Sequence, residues 1–258
     1  MANPNIYVIG NHHEDPSGNE RLLKLLNYVN PDVVGVEGTK ESIKRLCSQH
    51  NYLTSKKFVD DLKLKGFSEE LISKTIVPFY SGLNFGAWLP LDYAERTGAR
   101  IIYLEDAKIF HSLARETRPE LFGNEFEEKG HYFPNIQERL NALLNKHNGD
   151  LTSFQREVDA IYDWCKDPNN AEIIKKRGEK NKNYERDVFA TEKIKEVVDN
   201  NNTQKIVVVR GAAHILYLQQ LLWDVDVDAN IQSALLNCDI NKNSFYVPKT
   251  EITPSCWC

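Results

Sequence analysis

The sequence predicts an α/β fold: a mostly parallel sheet with helices on both faces and a large helical insertion over about residues 108–200. Three observations predict it. Four short runs are almost continuously apolar and rich in Val and Ile, the pattern of parallel strands covered on both sides. Helical periodicities separate these runs. Between the third and fourth lies a long stretch with helical spacing and little strand character, too long to be a loop.

The runs are Ile6–Ile9, Val33–Val36, Arg100–Leu104 and Lys205–Val209. After the first, Pro16-Ser17-Gly18-Asn19-Glu20 opens a helix that continues through Leu22, Leu25, Leu26 and Val29. Ser17 and Glu20 have the spacing of a capping box, in which the hydroxyl and the carboxylate each satisfy an amide at the helix start. Pro31-Asp32 ends that helix, so the first fifty residues read β-α-β-α with the crossover that a parallel pair needs. Further helices are predicted over Ser68–Val77 and Leu89–Thr97, the second closed by Gly98. Within the insertion, Ile136, Leu140, Leu143 and Leu144 keep helical spacing. So do Phe154, Val158 and Ile161, and Val188, Ile194, Val197 and Val198. Asn169–Asn183 is polar and Lys-rich, and is expected to be mobile. Ile215–Trp223 reads as a helix, and Ser244–Val247 as a final edge strand. All of this fits a single domain spanning residues 1–258.

Composition excludes several partner classes. A net charge of −5 gives no electrostatic reason to expect nucleic acid. Short basic stretches such as Lys175-Lys176-Arg177 read as solvated helix faces. No apolar run approaches the roughly 18–20 residues of a membrane-spanning helix, so no integral membrane segment is expected. Met1-Ala2-Asn3-Pro4-Asn5 lacks the basic and apolar regions of a signal peptide. Cys47, Cys165, Cys238, Cys256 and Cys258 are odd in number and mostly far apart, which suits free thiols in a reducing compartment. The Cys256-Trp257-Cys258 tail is not a CaaX box and reads as a flexible terminus. Together these features predict a cytoplasmic protein.

Chemistry concentrates in two motifs. Gly10-Asn11-His12-His13 follows the first strand and Gly211-Ala212-Ala213-His214 follows the fourth. With 13 Gly and 7 His in 258 residues, chance gives about 0.35 Gly-x-x-His matches, so two of them directly after strands is suggestive. Glycine lets the backbone turn sharply and approach a ligand. The imidazole then sits at the carboxyl end of a strand, where open α/β sheets place their ligands. Glu37 directly follows the second strand and Asp106 lies just past the third. If the strands are parallel, His13, Glu37, Asp106 and His214 project from one sheet edge. The plainer reading of each acid is a helix cap or a partner for loop amides. The aromatic segment Phe79, Tyr80, Phe85, Trp88 and Tyr93 fits either a substrate pocket or core.

These motifs resemble the TraB/Tiki superfamily, together with Pro-Asp-Val-Val-Gly-Val-Glu at 31–37 and Asn183-Tyr184-Glu185-Arg186-Asp187. That group includes pheromone-shutdown proteins and Tiki metalloproteases, and more distantly erythromycin esterases and haem-binding ChaN proteins. Asp106 followed nine residues later by Arg115 is also similar to the family pattern. Two positions depart from it. Ala87 stands where an acidic residue often follows the glycine of Phe85-Gly86-Ala87-Trp88, and the first arginine after Glu37 is as distant as Arg45.

The resemblance implies the fold of erythromycin esterases and ChaN proteins, and hydrolysis of an amide or ester bond at His13, Glu37, Arg186 and His214. Two imidazoles and a carboxylate form a ligand set for a catalytic divalent metal (Mn, Co or Zn), so His13, Glu37 and His214 are the implied ligands. A metal-free version has His13 as general base held by Glu37. Arg186 would stabilise an oxyanion or clamp a carboxylate; its alternative is a surface salt bridge with Glu185 or Asp187. His12 faces away from His13 if the segment is extended. His50, His111, His131 and His147 carry no motif. The substrate stays open between a peptide, a macrolide-like ester and other small molecules. The alternative function is non-enzymatic binding of haem or a peptide pheromone.

Overall fold

The computed structural model describes residues 4–109, 112, 134–180, 183–200, 205–225 and 227–238. Five parallel strands form one open sheet: β1 (Asn5–Asn11), β2 (Val33–Val36), β3 (Arg100–Tyr103), β4 (Lys205–Gly211) and β5 (Asn230–Leu235), in the order β3-β2-β4-β1-β5. The four predicted strands are all present. In the central β4, Ile206 through Val209 are completely buried, as a strand covered on both faces requires. The fifth strand is a finding. Asn230-Ile231-Gln232-Ser233-Ala234-Leu235 pairs with β1 alone, and this edge position tolerates polar residues that hide a strand from a search for apolar runs. Ser244–Val247 lies outside the described residues.

Helices cover both faces. Besides shorter helical segments, the described helices are α1 (Gly18–Val29), α2 (Lys40–Leu53), α3 (Lys56–Leu64), α4 (Phe85–Thr97), α5 (Pro134–His147), α6 (Leu151–Lys166), α7 (Ala171–Lys180), α8 (Asn183–Asn200) and α9 (Ile215–Asp224). A β-carbon on Gly10 would strike Ile215 of α9, whereas the adjacent Asn11 and the neighbouring Val209 abut Gly86 of α4. Since successive strand residues face opposite ways, α9 and α4 lie on opposite sides of the sheet. α1 packs with α4, and α8 with α9. The chain leaves β1 toward β2 through α1, and leaves β4 toward β5 through α9, in opposite lateral directions. This reversal between β1 and β4 is a topological switch point, and it opens a crevice at the carboxyl ends of those strands.

Local chemistry differs from expectation at the start of α1. Ser17 makes no side-chain cap; its N–H instead donates to Asp15 Oδ1 at 3.0 Å and Gln155 Oε1 at 2.9 Å, and Glu20 pairs with Lys24. Asp15 has taken over the turn. A reciprocal capping box occurs at α2, where Thr39 Oγ1 accepts from Ser42 N–H and Ser42 Oγ accepts from Thr39 N–H. The predicted Ser68–Val77 helix forms and runs to Ser81 through a π-turn at Ile72–Ile76. There Val77 N–H reaches back five residues to Ile72, beside Pro78, which has no N–H to continue an ordinary ladder. Between β3 and β4 the described residues form a helical turn at 107–109, helices α5–α8 and one short 3₁₀ turn, with Ala171–Lys180 of the polar stretch helical. Leu140 and Leu143 of α5 join a second core with Leu53, Phe58, Leu62, Ile76, Phe79 and Tyr80.

Gly98 ends α4 at φ +80° with its N–H on Ala94 O, and a β-carbon there would meet nothing within 4 Å. Any cost of side chains at this position is therefore conformational, about 1 kcal/mol. Urea denaturation should show Gly98→Ala destabilised by about that amount and Gly98→Asn by less. Equal stability of all three proteins would contradict this account of the helix end.

Candidate active site

The two Gly-x-x-His turns leave the sheet side by side. β1 and β4 are neighbours, with Asn11 paired to Gly211. Gly211 has an ordinary φ of −56°, so space rather than backbone freedom is what it provides. A β-carbon there would lie 3.3 Å from Glu37 Oε2, 3.4 Å from His13 Nε2 and 3.7 Å from His214 Cδ2. His13, Glu37 and His214 thus meet around one glycine.

Val36 pairs with Val209, which sets Glu37 level with Arg210 at the end of β4. The chain can turn away at once because the next residue, Gly38, has φ +145°. Glu37 Oε2 accepts the Gly211 N–H at 2.5 Å, and Oε1 accepts from Arg186 Nη2 at 2.8 Å. Burial alone would raise this carboxyl, but its electrostatic neighbours, the His214 imidazole, the Arg186 and Arg210 guanidiniums and the His13 imidazole, hold it well below the usual carboxylate range.

His214 is 4% exposed, and its Nδ1 lies 2.9 and 3.0 Å from the two oxygens of Asp187. That places the proton on Nδ1 and turns the Nε2 lone pair toward Arg186 Nη1 at 3.3 Å, with Glu37 Oε1 at 3.5 Å. Arg210 Nη2 also lies 3.3 Å from Nδ1. Two donors cannot share that contact, so Arg210 acts through Asp187 at 3.2 Å and through Leu104 O at 3.2 Å.

Arg186, on the first turn of α8, is a site residue and not a surface ion pair. Its Nε donates to Glu105 Oε1 at 2.8 Å, and its Nη2 bridges Glu105 and Glu37. Burial alone would lower this guanidinium, but Glu37 and Glu105 hold it above its ordinary range. Asp106 is displaced from the expected role. Its Oδ1 accepts the N–H groups of Lys108 and Ile109 as a helix cap, and the neighbouring Glu105 faces the cluster instead. Arg115, His111 and His131 lie outside the described residues.

His13 differs from its partners. Its side chain is exposed, and among the described residues its ring makes no hydrogen bond. The backbone carbonyl is held by Asn84 N–H at 2.8 Å. Ala87 is buried in the core and Arg45 is exposed, so neither bears on the site. Phe79, Tyr80, Phe85 and Tyr93 are buried core, and Trp88 stacks on His50 at 3.9 Å. Sequence reading missed Asp187, Glu105 and Arg210 as site residues. Arg210 did leave a signal: a lone charge closing the apolar Ile206-Val207-Val208-Val209 run, where burial demands partners.

The donor set suits an arginine better than a metal ion. A divalent cation shared by His214 Nε2 and Glu37 Oε1 would have to bind within about 2 Å of both. The Arg186 guanidinium takes that position, with one nitrogen toward each atom. Among the described residues, no group of three or more His, Cys, Asp or Glu side chains is arranged to hold a metal. Cys47, Cys165 and Cys238 are free thiols. No described helix is long and apolar enough to cross a membrane. No protein-family model and no curated protein matches the chain.

Two outcomes follow from the buried charges. Arg210→Met removes a cation from between Glu105 and Asp187, and should cost about 3–5 kcal/mol in chemical denaturation. Because the Glu37 carboxyl is depressed in the folded state, its contribution is complete above the unfolded value of about 4.3 and is lost as pH falls through the folded one. The stability of Glu37→Gln should therefore fall less steeply than wild type between about pH 5 and pH 3. Parallel slopes would show that Glu37 is not held by these charges.

Proposed function

We propose that the protein hydrolyses an amide or ester bond without a bound metal, using His13 as general base. The observation that carries this reading is the approach, around Gly211, of a partly buried carboxylate and an exposed imidazole that makes no hydrogen bond among the described residues. His13 Nε2 would accept the proton of an attacking water as the new C–O bond forms, with the negative charge of Glu37 favouring the imidazolium; collapse of the tetrahedral intermediate would then break the bond to the leaving amine or alkoxide, which takes that proton back from His13. Arg186, fixed by Glu37 and Glu105, would place a permanent positive charge beside the oxyanion of the tetrahedral intermediate. His214, oriented by Asp187, would keep its Nε2 toward Arg186 and Glu37 and so hold both in line. The substrate class is a peptide or a small-molecule ester. Distant kinship with the TraB/Tiki superfamily belongs to the same proposal and rests on the order of the motifs along the chain.

The test is a panel of p-nitrophenyl esters, lactones and fluorogenic peptides, assayed in EDTA. Turnover should persist in chelator and fall by about 10²–10⁴-fold in His13→Ala. Thermal stability should be unchanged within about 0.5 kcal/mol, since that ring is exposed. Arg186→Lys keeps a charge but loses the fork, and should cost about 10²-fold in kcat. Turnover that disappears in EDTA and returns with Mn²⁺, Co²⁺ or Zn²⁺ would replace this mechanism with the metal-assisted one. No turnover on any substrate would remove the hydrolase reading.

A further inference from the structure

The loop that carries His13 is gripped from outside the sheet. Since the ring itself has no hydrogen bond among the described residues, its position is set through the backbone on either side. Asn84 N–H holds the carbonyl of His13, and Asp15 N–H closes a turn onto His12 O at 3.0 Å. The N–H of His12 donates to the hydroxyl of Tyr162, which lies 150 positions away on α6, at 2.9 Å. That hydroxyl in turn donates to Asp15 Oδ2 at 3.1 Å. Tyr162 and Asp15 are both fully buried. Asp15 is also held by Arg21 Nη1 at 3.1 Å and Gln155 Nε2 at 2.9 Å, and Arg21 reaches Asp159 of α6 at 2.8 Å. Gln155, Asp159 and Tyr162 are spaced i, i+4 and i+7, so one stripe of α6 holds residues 12–21. The same helix packs against the Ala212–His214 turn. A helix of the segment between β3 and β4 therefore touches both histidine turns.

Within this clamp the Tyr162 hydroxyl has a distinct task. Asp15 would keep Arg21, Gln155 and Ser17 N–H without it. At residue 12 the Tyr162 hydroxyl accepts the backbone N–H, while Asp15 N–H holds the carbonyl. Bridging that amide to the Asp15 carboxylate takes a group that accepts and donates at once, and a phenol does both. We propose that Tyr162 is a positioning residue: by fixing the backbone at His12 it sets the His13 ring against Glu37. The proposal rests on His13 acting as the base of the hydrolytic reaction.

Tyr162→Phe in the full chain keeps the ring's packing and removes both hydroxyl bonds. A matched control is Val158→Ala, also fully buried on α6 but outside the clamp. With an ester that the wild type turns over, Tyr162→Phe should lower kcat by about 10–10²-fold with KM within twofold, as expected for a displaced base. Val158→Ala should keep kcat while losing stability. Unchanged kcat in Tyr162→Phe, or equal loss in both variants, would overturn the proposal. If the wild type turns over no substrate, the hydrolase reading fails first. Diethyl pyrocarbonate modification of His13, followed by mass spectrometry, then decides the clamp. A rate altered in Tyr162→Phe alone supports it, and one unaltered in Tyr162→Phe, or altered equally in both variants, overturns it.

Discussion

Arg210 carries a full positive charge into the interior, at the end of the central strand, with its side chain wholly buried. Such a charge is tolerated only if it is paired and hydrogen-bonded, and meeting that demand organises the strand ends around it. Asp187 answers from α8, and the Leu104 carbonyl answers from the end of β3. Asp187 then fixes His214, and Arg186 on the same helix turn links Glu105 to Glu37. Glu37 closes the set on the amide of Gly211, the residue after Arg210. Three carboxylates, two guanidiniums and an imidazole thus form one connected network across β2, β4, α8 and the end of β3. In such a network, removal of one member strands the charge of another, which ties the geometry of the site to the stability of the fold.

The fold was largely legible because its signals are local. Val33–Val36 and Ile206–Val209 are apolar throughout, as only a doubly covered strand requires, and the helical periods between the strands have no competing pattern. β5 was hidden because an edge strand need bury only part of its side chains: Asn230 is exposed and Gln232 half-buried, and both break the apolar run. The Ser17–Glu20 spacing misled for a related reason. A capping box is a local option, and it lost to Asp15, which is held from α6 by residues about 140 positions away.

The site was legible in part. Gly-x-x-His after a strand marks a turn at the sheet edge, and parallel strands bring such turns together whatever lies between them in sequence. That reasoning brings His13, Glu37 and His214 to one point. It could not choose between Glu105 and Asp106, since adjacent acids at a strand end differ only in which way the backbone turns them. Nor could it show that the motif at 183–187 supplies two site residues. Arg186 and Asp187 reach the cluster because α8 begins beside the strand ends, a fact of tertiary packing. The function of Tyr162 had no sequence signal of any kind.

What separates a hydrolase that works through arginine and histidine from a metalloenzyme is the occupant of the gap between Glu37 Oε1 and His214 Nε2. A crystal structure of the protein grown with added Zn²⁺ tests this most directly. The Arg186 guanidinium should occupy that gap, bridging to Glu105, with no zinc bound to either residue. A zinc ion ligated by Glu37 and His214, with Arg186 swung out of the cluster, would contradict it.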